Sequence, residues 1–354
     1  MATIIEVAKA ARVSRSTVSR VLNNEENVRQ ATRQRVLETM RKLDYSPNNA
    51  ARSLAKKQTH AIGVVVNNLH DPFFHDLIKG FEAGASETSY NVVFCSAFGG
   101  DPAGKERYVR YLTNGVTDGI ILYGSYLSDE PIIRSLVDSK AQFVLIENDV
   151  MGDKTNNLLI DNLGGAEKAV DYLYAQGHRH IAHISGNPNK KVTVDRFNGY
   201  LRAMHKNALE IHQGYIQHTT TNYTSGYDMM QRLLALEENR PTAVFCSDDA
   251  IASYAIRAAL DAGFSIPGDI SIMGFDNQKI LPDGYAGPSI TTMIQPLYQI
   301  GFDSIRLLTS ILENEPSERK LSERYDVSVL VRDTVGAPRM WSEAMKTCLK
   351  EEVH

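Results

Sequence analysis

Val13-Ser14-Arg15-Ser16-Thr17-Val18-Ser19-Arg20-Val21-Leu22-Asn23 is the stretch that decides how this chain is read. Ser14 can cap a helix over Arg15–Leu22, because its hydroxyl accepts from a free first-turn amide. Helical spacing then sets Val18, Val21 and Leu22 inward and Arg15, Ser16, Ser19 and Arg20 outward. Upstream, Thr3-Ile4-Ile5-Glu6 fits a capping box that opens a helix from Ile4 to about Ala11, with Ile4, Val7, Ala8 and Ala11 on its apolar face. Arg12-Val13 breaks it. Downstream, Ala31–Leu43 repeats Val36, Leu37, Met40 and Leu43 at helical spacing and stops before Tyr45-Ser46-Pro47. Two short helices about a tight turn, braced by a third, predict a helix-turn-helix. Its outward face suits a major groove: arginine offers a fork of donors to guanine, and Ser or Thr hydroxyls reach bases or phosphates.

Charge points the same way. Residues 1–60 carry a net +7, whereas the whole chain is at −4, so the remainder stands at −11. A small basic head on a large acidic body suits a polyanionic partner for the head alone. Cys95, Cys246 and Cys348 are too scattered for a disulfide framework and read as thiols of a reducing compartment. Glu6, Lys9 and Arg12 interrupt any signal-peptide core, and no apolar run reaches the roughly 20 residues of a membrane span. A cytoplasmic protein with no membrane association is the expectation.

From Ala61 onward, β-rich runs alternate with amphipathic stretches. Strands are expected at Ile62–Val66, Val92–Ser96, Gly119–Leu122, Phe143–Glu147, Leu158–Asp161, His180–Ser185, Tyr215–His218, Ala243–Ser247 and Ser271–Phe275. Helical patterns separate most of them, as in Phe74–Thr88, Gly165–Gln176 and Ala250–Ala262. Apolar strands joined by crossover helices imply parallel sheets buried on both faces. The pattern runs twice, predicting two doubly wound subdomains with a ligand cleft beyond the carboxyl ends of the strands.

The quoted stretch, with Tyr45-Ser46-Pro47-Asn48 and Ala50-Ala51-Arg52-Ser53-Leu54, closely resembles the lactose/galactose (LacI/GalR) repressor family. The likeness extends through Asp71-Pro72-Phe73-Phe74, Gly177-His178-Arg179, Arg196 with Gly199-Tyr200, Gly274-Phe275-Asp276, Gln295-Pro296-Leu297 and Arg332-Asp333. It implies an all-α helix-turn-helix headpiece with a hinge helix, then an α/β periplasmic-binding-protein-like body of two doubly wound parallel-sheet subdomains. It implies that the helix over Arg15–Leu22 reads the major groove. The segment around Asn48–Ala55 would become a hinge helix on DNA, and Leu54 would wedge into the minor groove, unstacking a base step and bending the duplex. The DNA-facing set is Thr3, Ser14, Arg15, Ser16, Thr17, Ser19, Arg20, Asn23, Arg29, Thr32 and Tyr45 of the head, with Asn48, Ala51 and Leu54 of the hinge. Two departures stand out. Arg12 occupies a position where the family usually has Gly, which predicts backbone strain. Arg29 replaces a usual Ser cap, adding a phosphate contact while removing a cap.

The boundaries read as a 1–46 helix-turn-helix domain, a 47–60 hinge and linker, a 61–340 effector-binding and dimerisation body and a 341–354 tail. Within the body, one subdomain takes about 61–160 and 293–322, the other about 161–290 and 323–340. Arg196 can fork onto adjacent hydroxyls or a carboxylate, Asp276 can accept from sugar hydroxyls, and Phe73 and Phe74 offer flat faces to a pyranose ring. The resemblance implies that Glu147 and Asp248 also face the cleft, where the family commonly has Asp and Asn. Tyr223, in the Thr219–Thr224 loop, is a further ring candidate. Three carboxylates, Glu147, Asp248 and Asp276, favour a neutral polyhydroxylated ligand over a sugar phosphate or nucleobase.

Two other motifs compete. Gly99-Gly100-Asp101-Pro102-Ala103-Gly104-Lys105 imitates a phosphate loop, but Glu106 stands where a hydroxyl must hold magnesium. His178, His180 and His183 imitate a metal cluster, although His180 and His183 would point to opposite faces of a strand. No nucleophile elbow or zinc-protease helix is present. The expectation is a homodimeric, sugar-controlled repressor of a carbohydrate-utilisation operon, with operator DNA and a neutral mono- or disaccharide as partners and neither cofactor nor metal. The alternatives are a regulator that needs a small-molecule or protein co-repressor, a sugar-binding module without DNA activity, and an enzyme. Met340-Trp341…Cys348-Leu349 spans too few heptads for a tetramerising coiled coil and reads as a docked or frayed tail.

Overall fold

The computed structural model describes residues 2–22, 25, 27–45, 58–97, 101–219, 224–279, 281, 284–314 and 320–339. They form two compact units, Met1–Thr59 and His60–His354. The predicted hinge positions Asn48, Ala51 and Leu54, together with Asn23, Tyr223, Cys348 and the 341–354 tail, lie outside the described residues.

In the first unit the helices are α1 (Ile4–Ala10), α2 (Arg15–Leu22) and α3 (Gln30–Lys42). Thr3 and Glu6 make the predicted capping box at α1, and the Ser14 hydroxyl accepts from the Thr17 amide 3.1 Å away at the start of α2. Between these helices Arg12 takes φ 52°, the left-handed conformation that favours glycine. Arg29 caps α3 by position only, with no side-chain hydrogen bond. Val7, Ala8, Ala11, Val18, Val21, Val36 and Met40 form the core. Leu37 and Leu43 depart from expectation, being 38% and 37% exposed. Three short helices enclose too little interior for a wide stripe, and the pair Val36 and Met40, one turn apart, already fills the α3 contact.

The second unit runs β1 (Ala61–Val66), α4 (Phe74–Ser86), β2 (Asn91–Ser96), α5 (Pro102–Thr113), β3 (Gly119–Tyr123), α6 (Glu130–Asp138), β4 (Phe143–Ile146), β5 (Asn156–Ile160), α7 (Asn162–Ala175), β6 (Ile181–Ser185) and α8 (Lys191–Lys206). It continues with β7 (Ile216–His218), α9 (Ser225–Leu234), β8 (Ala243–Cys246), α10 (Asp249–Asp261), β9 (Ser271–Met273), β10 (Thr292–Ile294), α11 (Leu297–Glu313), β11 (Ser322–Tyr325) and β12 (Ser328–Leu330). One sheet has the order β11-β5-β4-β3-β1-β2 and the other β7-β6-β8-β9, all parallel, while β10 and β12 pair antiparallel. Apolar side chains line both faces of the first sheet: Ile121 and Tyr123 pack in one core, Ile120 and Leu122 in another. That two-sided burial is why these strands read as continuous apolar runs. No helix among the described residues is long and apolar enough to cross a membrane.

The chain passes between the lobes after β5, between β10 and α11, and between β11 and β12. Pairing of Ser322–Tyr325 with Asn157–Ile160 places β11 in the first lobe. The last passage therefore falls after Tyr325, later than the 322/323 boundary read from sequence. Strands β10, β11 and β12 were not predicted. They have three or four residues each, and β11 is a largely exposed Ser-Glu-Arg-Tyr edge without an apolar run.

Helices α4 and α11 cross at Gly80 and Gly301. A Cβ on Gly80 would lie 2.1 Å from the Tyr298 carbonyl oxygen, and one on Gly301 2.2 Å from that of Leu77. Backbone rather than a flexible side chain fills the space, so the helices must separate to admit a methyl. Gly301→Ala is expected to destabilise the body by about 1–3 kcal/mol or more, read as a lower urea midpoint; an unchanged midpoint would refute this account of the crossing.

Candidate functional site

A cleft of about 680 Å³ opens at the carboxyl ends of the strands, lined from the first lobe by Asn67, Asp71, Phe73, Phe74, Tyr123, Ser125 and Tyr126 and from the second by Lys190, Arg196, Ser247, Asp248 and Asp276, among others. Arg196, on the second turn of α8, is only 4% exposed. Its Nε donates to Asn162 Oδ1 at 2.9 Å, one terminal nitrogen to the Ser247 carbonyl at 2.7 Å, and the other lies 2.8 Å from Asp276 Oδ1. The guanidinium carbon sits 3.8 Å from the centre of the Phe275 ring. One side chain thus ties the start of α7 to the ends of β8 and β9.

Asp276 also accepts from Gln295 Nε2, on the passage from β10 to α11. It adopts φ 103°, a conformation L side chains rarely take. Such strain is held only where the surroundings over-determine it, and it clusters at binding sites. Burial raises the Asp276 carboxyl pKa, and the Arg196 charge opposes that rise. Asp248 caps α10, accepting from the Ile251 amide at 2.8 Å; burial and the neighbouring Asp276 charge push its pKa up to about 6.

Phe73, Phe74 and Tyr123 meet edge to face, with centroids 5.2, 6.0 and 5.0 Å apart. Phe74 is buried and forms a wall rather than an open face; Phe73 is partly exposed. Glu147 is corrected. It is 4% exposed and absent from the cleft lining, with φ 64° at its backbone, because its carboxylate is engaged by buried partners. Its oxygens instead accept from the Ile160 amide at 2.6 Å and from Asn162 Nδ2 at 2.7 Å. Glu147 therefore orients Asn162, which in turn holds Arg196. Sequence reasoning passed over Asn67, Ser125, Tyr126 and Lys190, although each follows a strand's carboxyl end and the cleft rule pointed there.

The decoy motifs are absorbed into the fold. Lys105 is fully buried, with Nζ 2.8 Å from both Asp129 carboxylate oxygens and 3.3 Å from the Tyr123 carbonyl, so no phosphate reaches it. His183 is buried, donates from Nδ1 to the Phe245 carbonyl at 2.9 Å and is held neutral by burial, with a pKa near 3. His178 lies 2.9 Å from both Thr242 Oγ1 and the Gly336 carbonyl, and His180 Nδ1 lies 3.1 Å from the Tyr215 hydroxyl. Among the described residues no cluster of three or more His, Cys, Asp or Glu is arranged to hold a metal.

On the head, Arg15, Ser16, Ser19 and Arg20 form the exposed face of α2. Ser14 Oγ lies 2.7 Å from Ser16 Oγ and 2.8 Å from Thr17 Oγ1, presenting three hydroxyls at one helix start. Arg20 is loosely engaged by Glu25 at 3.8 Å. Thr3 and Arg29 are exposed, while Thr32 and Tyr45 are half-buried.

Burial pushes the Glu147 pKa from 4.5 to about 7, partly opposed by the Ile160 amide and Arg196. A carboxyl whose folded pKa exceeds its unfolded value penalises folding progressively from pH 4.5 to 7, and fully above. The difference in thermal midpoint between wild type and Glu147→Gln should therefore shrink, or turn against wild type, as pH rises from 5 to 8. A pH-independent difference would refute the assigned titration.

Residues 3–48 match the family described as bacterial regulatory proteins, lacI family, and residues 170–335 match a periplasmic binding protein-like domain. A probable HTH-type transcriptional repressor ExuR from Bacillus subtilis is 34% identical over 95% of this chain and 98% of its own. Among solved structures, a lac repressor dimer bound to operator and the anti-inducer ONPF is 25% identical, covering 95% of this chain and 99% of its own at a TM-score of 0.83. A complex of the transcriptional regulator CelR with cellobiose is 26% identical, covering 95% and 100% at 0.69. With a helix-turn-helix head, two parallel-sheet lobes and relatives named as repressors rather than enzymes, the chain belongs to the LacI family of bacterial regulatory proteins and is a DNA-binding transcriptional repressor.

Proposed function

We propose that this repressor controls a carbohydrate-utilisation operon and that a neutral mono- or disaccharide in the cleft sets its affinity for operator DNA. The observation that carries this reading is the charge balance of the lining. Asp71, Asp248 and Asp276 outnumber Lys190 and Arg196, and Arg196 is already engaged by Asp276. A phosphate or carboxylate entering the cleft would meet net negative charge without a free guanidinium. Buried acceptors beside aromatic walls instead suit hydroxyl donors on a ring with apolar faces. The cellobiose complex of a structural relative agrees with that chemistry.

On DNA, Arg15 and the hydroxyls of Ser14, Ser16, Thr17 and Ser19 enter the major groove from α2, while Arg20, Arg29 and Thr32 engage phosphates. Asn23, Tyr45 and the hinge positions Asn48, Ala51 and Leu54 complete the reader. One head covers a single half-site, so the working unit is a homodimer. It acts in the cytoplasm, where its operator is.

Arg15→Ala should weaken operator binding by about 5- to 150-fold, the usual worth of one bidentate base contact, in a mobility shift on the chain's own upstream DNA. An unchanged affinity would remove Arg15 from the reader. In a thermal-shift panel, neutral saccharides should raise the melting temperature while sugar phosphates and purine bases do not. Saturation at about 100 times Kd corresponds to about 2.7 kcal/mol. Stabilisation by an anionic ligand alone would overturn the charge argument.

A further inference from the structure

The charged pair that the phosphate-loop imitation conceals has a place in the cleft. Asp101 caps α5, accepting from the Ala103 and Gly104 amides at 3.1 and 2.9 Å, and Lys105 follows in the first turn. Lys105 and Asp129 are both wholly buried. An ion pair so placed gives up two hydration shells, and a well-packed apolar pair often serves stability as well or better. Burial lowers the Lys105 pKa and raises that of Asp129, so each charge is held against its solvation. What the pair does, beyond filling space, is fix backbone. Lys105 donates to the Tyr123 carbonyl, while Asp129 Oδ2 accepts from the Tyr126 amide at 3.1 Å. The connection from β3 to α6 is therefore gripped on both sides of Ser125. Asn67 Nδ2 adds a bond of 2.9 Å to the Ser125 hydroxyl.

That gripped segment crosses to the other lobe. The Leu127 amide donates to the Asn189 carbonyl at 2.9 Å, the Lys191 amide donates to the Ser125 carbonyl at 2.8 Å, and Tyr126 and Lys190 form an antiparallel bridge. Two ammonium groups lie near the Tyr126 ring, Lys105 Nζ at 5.4 Å and Lys190 Nζ at 5.7 Å from its centroid. Lys191 opens α8, the helix that carries Arg196. The opposite lobes also meet through the exposed pair Lys279 and Asp76, with Nζ 2.7 Å from Oδ2.

We infer that Lys105 and Asp129 are positioning residues for the clasp between the lobes: they hold the Tyr126 segment where it bridges Lys190 across the cleft and sets the first turn of α8. Neither touches an effector; both act through Tyr126. Two residues of antiparallel pairing are too few to persist alone, so the clasp forms only while one side is held rigid. Its regulatory meaning rests on the proposed sugar-controlled cleft, but the clasp itself is measurable without any ligand.

The test is hydrogen exchange on the full-length chain, without sugar, comparing wild type with Lys105→Met and with Lys105→Met/Asp129→Leu. The double variant removes both charges and so keeps the fold where a lone buried aspartate would not. Peptides covering 124–129 and 187–192 should exchange at least tenfold faster in the double variant, while those covering β3 and β8 remain as protected as in wild type; Lys105→Met, which strands Asp129, should also lose protection at β3. The second peptide is decisive, because it lies in the lobe that Lys105 does not touch, and a purely structural role would leave it unmoved. Unchanged exchange at 187–192 in the double variant, or wild-type exchange there as fast as in an unstructured peptide, would overturn the inference. A saccharide that binds wild type should bind the double variant at least tenfold more weakly. If no saccharide binds wild type, the effector reading falls and the ligand-free exchange still decides the clasp.

Discussion

The body of this repressor depends on one buried guanidinium. Arg196 reaches Asn162 at the first passage between the lobes, Ser247 at the end of β8 and Asp276 beyond β9. A charge so deeply buried persists only when its donors are matched, and here each match lies on a different segment. Glu147 aligns Asn162 from below, and Gln295 aligns Asp276 from the next passage. A ligand that draws any one of these groups toward itself must rearrange the rest, which gives a small molecule leverage over two lobes.

Three chain passages make the lobes mutually dependent. Asp249, fully buried at the start of α10, accepts from Thr292 on β10 and from the Gln278 amide. Lobe movement must be absorbed at the passages themselves, since the sheets are packed on both faces and resist deformation. The ligand, the lobe geometry and the head's grip on DNA can then be coupled only through a discrete choice between arrangements.

Much of this was legible from residues alone, because the signals were local or strongly periodic. The capping box at Thr3 and Glu6 and the Ser14 cap follow from side-chain chemistry within a few positions, and the strained turn at Arg12 from the family resemblance, which usually has Gly there. The buried strands announce themselves as apolar runs. What escaped depends on distant partners. Strand β11 is a polar edge whose identity comes only from Asn157–Ile160, 165 residues earlier in sequence. Leu37 and Leu43 keep helical spacing yet stay 38% and 37% exposed among the described residues. Glu147 sits where resemblance points to the cleft, but the Ile160 amide and Asn162, thirteen and fifteen residues on, take up its carboxylate. Lys105 resembled a phosphate ligand because sequence spacing cannot reveal Asp129 waiting inside.

The central claim is that one protein state serves sugar and another serves operator. Thermodynamic linkage makes the coupling reciprocal: the factor by which sugar changes operator affinity must equal the factor by which operator changes sugar affinity. The most direct measurement is the saccharide dissociation constant of the full-length repressor, free and saturated with operator, at one salt concentration. The account predicts that the two differ about 5- to 150-fold, the span of about 1–3 kcal/mol of coupling, by the same factor in both directions. Equal affinities in the presence and absence of operator would contradict it.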